Sequence, residues 1–161
     1  LTSEQAQELQ KRHAAAYERY QSAIQPLPGA RELLQQLSRD NIPYAIATSG
    51  RPEGARSALE RLGVRPEIPV ITRQEVQRAK PDPDLFLAAA QRLNVPITRA
   101  MVVGDSVWDL LAARRAGCLG IGLLSAGYGK EELEQVGAYQ VYQDPADLLN
   151  HLDKVGIRIV N

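Results

Sequence analysis

Residues 100–117 read AMVVGDSVWDLLAARRAG, and the folding of this stretch decides the rest. Ala100 to Val103 is a short, wholly apolar run, as expected of a strand buried on both faces. Ser106 to Ala116 reads as a helix, and Gly117 stops it. Gly104 and Asp105 close the strand, and Asp109 falls in the first helical turn. A parallel α/β sheet places its ligands at the carboxyl ends of its strands, so Asp105 and Asp109 are expected at one pocket mouth. Two carboxylates there suit a hard divalent cation that takes oxygen ligands and keeps waters, in practice Mg²⁺. Taken singly, Asp105 and Ser106 also read as helix caps, and Asp109 as favourable charge at a helix N-terminus. Ala112, Ala113 and Ala116 read as close helix–sheet packing, and Trp108 as a pocket wall or a partner contact.

The pattern extends both ways. Toward the C-terminus it predicts a strand at Leu119–Leu123, a helix at Glu131–Val136, a strand at Ala138–Tyr142 and a helix at Pro145–Leu152. Gly156 to Val160 would add an edge strand. Toward the N-terminus it predicts a helix at Asp84–Leu93 and strands at Ile68–Ile71 and Ile42–Ala47. Between those strands lies a helix at Pro52–Leu62, with proline in its first turn and Gly63 as its stop. Ala30 to Arg39 is helical with Leu33, Leu34 and Leu37 inward. Gln25-Pro26-Leu27-Pro28-Gly29 breaks the chain. Ser3 to Ile24 reads as one amphipathic helix capped by Ser3, with Ala6, Leu9, His13, Tyr17, Tyr20 and Ile24 on one face. Strands alternating with helices make a doubly wound, parallel α/β sheet.

Two further clusters sit where such a fold puts its active site, the first of them at the end of the strand at Ile42–Ala47. Thr48-Ser49-Gly50-Arg51 offers a hydroxyl and several backbone N–H groups to one anion, though an ordinary strand–turn–helix junction has the same composition. Lys80 precedes Pro81-Asp82-Pro83-Asp84, where two prolines stiffen the backbone. It is presented as a phosphate counter-charge would need to be, or else it is a solvated lysine in a proline-rich turn. Asp84 is also placed to cap the helix that follows.

The order and residue types of these clusters resemble the haloacid dehalogenase-like superfamily, in its helical-cap (phosphoglycolate phosphatase and β-phosphoglucomutase-like) branch. The resemblance rests on Thr48, on Lys80-Pro81-Asp82-Pro83 and on Gly104-Asp105-Ser106 with Asp109, and it runs from about residue 1 to 152. It implies that Thr48 and the N–H of Ser49 bind phosphoryl oxygens and that Lys80 neutralises the phosphoryl group and orients the nucleophile. It implies that Asp105 ligates Mg²⁺, with Asp109 ligating or holding a metal-bound water. Residues 1–25 would be the C-terminal part of a helical cap, and 26–161 a core lacking its first, central strand. That strand, which carries the nucleophile and the general acid/base in an Asp-x-Asp pair, would stand between the strands ending at Thr48 and Asp105. Nothing in Leu1 to Gln25 resembles it. The expected function is Mg²⁺-dependent hydrolysis of small phosphorylated metabolites through an aspartyl-phosphate, this chain alone being inactive. Alternatives are a phosphosugar mutase of the same branch and a non-catalytic phosphate-binding module. A dehalogenase would not require the metal site. A serine hydrolase fits poorly, because Ser49 lacks the Gly-x-Ser-x-Gly setting.

Composition narrows the partners. Lys plus Arg and Asp plus Glu each number 19, which disfavours nucleic acid and membrane surfaces, since both demand an excess of positive charge. With 44% hydrophobic residues, the chain has enough apolar side chains for one compact domain. The single cysteine, Cys118, permits no internal disulfide, and with no secretory signal a reducing cytoplasm is expected. Met101 is the only methionine and the first residue is Leu1, so a missing front segment is expected to complete the sheet. Arg12, His13, Tyr17 and Arg51 are candidates to face the substrate.

Overall fold

The computed structural model describes residues 2–20, 23–50 and 52–157. Seven helices and five strands occur among them: α1 (Ser3–Tyr20), α2 (Ala30–Arg39), β1 (Ile46–Ala47), α3 (Pro52–Leu62), β2 (Val70–Ile71), α4 (Asp84–Arg92), β3 (Met101–Gly104), α5 (Val107–Ala116), β4 (Leu119–Leu123), α6 (Lys130–Gln135), β5 (Ala138–Tyr142) and α7 (Pro145–Leu149). Every strand pair is parallel. Such pairing needs crossover helices, which cover both faces. On one face Leu33 of α2 and Leu148 of α7 pack on Ile121, Leu123 and Tyr142. On the other, Phe86 of α4 and Ala112 and Ala113 of α5 pack on Val102. The doubly wound α/β expectation therefore holds.

The strands form two sheets, β1-β2 and β3-β4-β5. Among the described residues β1 and β3 are not paired to each other, so each has one edge without a strand partner. They meet through side chains, Ala47 packing against the cluster that holds Val102 and Phe86. Val103, in the middle of β3, is 45% exposed, unlike a strand covered on both faces.

Several predicted boundaries shift for local reasons. The strand expected from Ile42 shrinks to Ile46–Ala47. Asn41 turns into the left-handed region at φ 54, and the Ile42 N–H is committed to the Leu37 carbonyl at the end of α2. β2 likewise keeps only the two residues that face β1. The first helix is capped by Thr2 rather than Ser3: the Gln5 N–H donates to Thr2 Oγ1, and the Thr2 N–H to Gln5 Oε1, a reciprocal cap of the Ser/Thr-x-x-Glu/Gln type. On its apolar face Leu9 is 53% and Tyr20 70% exposed; periodicity reveals an amphipathic helix but not what covers it. The last predicted helix ends at Leu149, and the chain rewinds as a short 3-10 turn at Leu152–Val155 that returns two side chains to the core. Most of the proposed edge strand from Gly156 lies outside the described residues.

Gly29 anchors the linker. At φ 73 it adopts a backbone conformation that costs other residues energy. A Cβ there would also fall 2.4 Å from the Ala146 Cα. The linker thus lies directly on α7, and this contact seats α2 against the sheet.

Candidate active site

The carboxyl ends of β1 and β3 and the turn before α4 converge on one cleft of about 350 Å³, walled by Ala47, Thr48, Ser49, Gly50, Lys80, Ser106, Trp108 and Asp109. Thr48, Ser49, Lys80 and Asp109, picked out from separate stretches of sequence, are thereby brought together. Lys80 is held on three sides. Its Nζ lies 2.6 Å from Asp109 Oδ1, donates to the Ala47 carbonyl at 3.3 Å and sits 5.1 Å from the centre of the Phe86 ring. The lysine and aspartate side chains are only 15% and 11% exposed. This is not a solvated lysine in a turn but a cation with a fixed address. Its loop is tied down by Arg115, which donates to the Pro81 carbonyl. Arg78 adds to this through its backbone N–H and side chain, both directed to Asp84. Asp84 consequently serves the loop, while Pro83 takes the cap position of α4.

Asp109 has two duties at once. It occupies the third position of α5, where the Ser106 hydroxyl donates to Oδ2 at 2.7 Å and accepts from the Asp109 N–H at 3.3 Å. Its other oxygen meets Lys80. The first-turn charge of α5 expected from the sequence and the partner of Lys80 are one residue. Gly104 makes this possible: a Cβ there would stand 2.4 Å from the Asp109 Cβ and 2.7 Å from its Cγ. Gly104→Ala should push Asp109 away from Lys80 and cost about 1–3 kcal/mol. Thermal unfolding checks this, with a fall in Tm of roughly 2–4 °C per kcal/mol expected. An unchanged Tm would show that α5 moves freely against β3.

Thr48 Oγ1 accepts from the Gly50 N–H at 3.0 Å, which fixes the side chain and leaves its O–H free to donate. Ser49 is exposed at the lip. Asp105 is not among the walls of the cleft. Its Oδ2 accepts from the Ser125 hydroxyl at 3.3 Å, and Oδ1 has no described partner. Ser125 was not singled out from the sequence. The available signal was its place just after β4, the parallel neighbour of β3, whose carboxyl end lies beside that of β3.

The donor set bears on Mg²⁺. Among the described residues no group of three or more His, Cys, Asp or Glu could hold a metal. A cation would therefore rest on one or two protein oxygens and on waters, which Mg²⁺ accepts. Asp105, half-buried with one free oxygen, fits a direct ligand. Asp109 has both oxygens engaged and fits a role through water better than direct ligation.

Other candidates recede. Arg12 makes an exposed ion pair with Glu8 and is not part of the cleft. Arg51 and the side chains of His13 and Tyr17 lie outside the described residues. Burial pushes the Cys118 thiol up, the opposite of an activated nucleophile. A second hollow, of about 370 Å³ between α3 and β2, is lined by Leu59, Val64 and Val70. Its Thr72 and Glu75 are spent on each other in a cap.

Parallel strands wrapped by helices on both faces, with a polar cleft at their carboxyl ends, define a doubly wound α/β protein. Over residues 1–117 the chain matches the haloacid dehalogenase-like hydrolases, and it belongs to that family. It is 37% identical over 123 residues to a phosphoglycolate phosphatase of Rhodospirillum rubrum, covering 75% of this chain and 50% of that protein. It is 40% identical over 96 residues to hexitol phosphatase A of Escherichia coli, covering 59% of this chain and 44% of that protein. The chain thus spans about half the length of these curated relatives. The crystal structure of a hydrolase from Pseudomonas syringae superposes with a TM-score of 0.92 at 51% identity, covering 96% of this chain and 72% of that one. Among the described residues no helix is long and apolar enough to cross a membrane.

Proposed function

We propose that this chain carries the phosphate- and metal-binding half of an Mg²⁺-dependent phosphomonoester hydrolase that acts on small phosphorylated metabolites in the cytoplasm. The observation that carries the reading is Lys80, pinned between Ala47 and Asp109 in a cleft that also holds Thr48. Phosphoryl transfer asks a protein chiefly for position and charge neutralisation. Lys80 would neutralise phosphoryl oxygens, and the Thr48 hydroxyl and Ser49 N–H would donate to them. Asp109 would hold Lys80 in place between turnovers. Asp105, oriented by Ser125, would hold Mg²⁺, which when bound draws charge from the phosphoryl group. The nucleophile would be an aspartate on a further strand seated between β1 and β3, where each sheet has an unpaired edge. Residues 1–25 would be the end of a cap over the cleft.

The test is phosphate release from an aryl phosphate by the protein expressed from its complete reading frame. Turnover should vanish in a chelator and return with Mg²⁺. Asp105→Asn should need far more Mg²⁺, and Ser125→Ala, which removes the hydrogen bond that orients Asp105, should lose roughly 10–100-fold in metal affinity or activity. Full turnover in chelator would overturn the metal assignment. Tight binding of phosphate without turnover would identify a non-catalytic module instead.

A further inference from the structure

We propose that Trp108 is the surface against which the organic half of the ester lies, and that it selects phosphate esters of cyclic carbohydrates over small acidic ones. The inference rests on the cleft being a phosphate site. Trp108 sits in the first turn of α5, off the face by which Leu110, Ala112 and Ala113 enter the core. It is 51% exposed. A lone exposed aromatic residue needs no explanation, but this one walls the cleft that holds Lys80 and Thr48. The remaining walls are hydroxyls, the Lys80–Asp109 pair, or nothing larger than the methyl of Ala47. An inorganic anion has no use for an indole. A ligand site pairs a few polar groups with an apolar surface, and among the described residues of the cleft Trp108 is the one large apolar surface.

The chemistry of that surface chooses the partner. The face of an aromatic ring carries partial negative charge. A pyranose or cyclitol presents a face of C–H groups, weakly positive and apolar, with its hydroxyls at the rim. It can lie flat on an indole while its phosphate reaches Lys80. A short acid such as phosphoglycolate would bring a second carboxylate against the same electronegative face, in a cleft that already contains Asp109. The geometry therefore favours a ring without added negative charge.

The experiment uses the protein from its complete reading frame. It measures initial rates with glucose 6-phosphate, inositol 1-phosphate and phosphoglycolate, and inhibition by inorganic phosphate. The cyclic esters should be preferred. Trp108→Ala should raise their KM by about three- to tenfold with kcat little changed, and should leave inhibition by inorganic phosphate within about twofold. Trp108→Phe, which keeps a ring, should recover most of the loss and guards against misfolding of the alanine variant. Preference for phosphoglycolate, an equal KM change for all three esters, or identical Ala and Phe variants would overturn the assignment while leaving the phosphate site standing. Failure of inorganic phosphate to inhibit the unaltered protein would bring down the phosphate site and this inference together.

Discussion

Lys80→Ala in the protein from its complete reading frame should lower phosphatase turnover by about 10²–10³-fold, the usual loss when one preorganised charge on the reacting group is removed. The same change should also cost stability. Asp109 is 8% exposed, and without Lys80 it keeps only the Ser106 hydrogen bonds. Removing one partner of a buried ion pair typically costs about 3–5 kcal/mol. Activity and Tm must therefore be read together. The double variant Lys80→Ala with Asp109→Asn separates the two effects, because it removes the stranded charge. It should recover much of the Tm and none of the turnover. Lys80→Arg should rescue poorly, since a planar fork cannot occupy the place of a point charge between Ala47 and Asp109. Near-normal turnover in Lys80→Ala would show that the lysine serves the fold alone.

The 161 residues expressed alone should hydrolyse no phosphate ester above the Mg²⁺ blank. Covalent phosphoryl transfer to protein needs a free nucleophile facing the phosphorus. Among the described residues the one carboxylate lining the cleft is Asp109, with one oxygen on Lys80 and the other on Ser106. The Cys118 thiol is raised by burial. Adding a peptide that carries the proposed central strand, with an aspartate pair, should restore turnover by seating between β1 and β3. That seating should also protect the Ala47 amide from hydrogen exchange, since its neighbours Ile46 and Thr48 donate to Pro69 and Ile71 and leave Ala47 directed to the open edge of β1. Turnover by the chain alone would mean that the catalytic apparatus lies elsewhere. Protection without turnover would place the strand but not the nucleophile.

The fold was legible because its signals are local. The apolar run at residues 101–103 is too short for a helix and ends at Gly104. The helices begin at Pro52 and Ser106 and end at Gly63 and Gly117, where backbone geometry restricts the choice of residue. Strand ends were less legible at Ile42 and Ile68. A strand ends where its ladder partner ends, and β1 and β2 give each other only two rungs.

The sequence by itself determined the α/β class, because its strand, turn and helix signals are local, and it picked out Thr48, Lys80 and Asp109, which the structure brings to one cleft. It left open whether Lys80 was solvated and whether Asp109 was only favourable charge at a helix N-terminus. Tertiary structure alone decided these. The Lys80–Asp109 pair spans 29 residues and the Lys80–Ala47 bond 33. The Ser125–Asp105 bond joins the ends of two adjacent strands. Each depends on the distance between separate elements, a quantity that no local propensity carries.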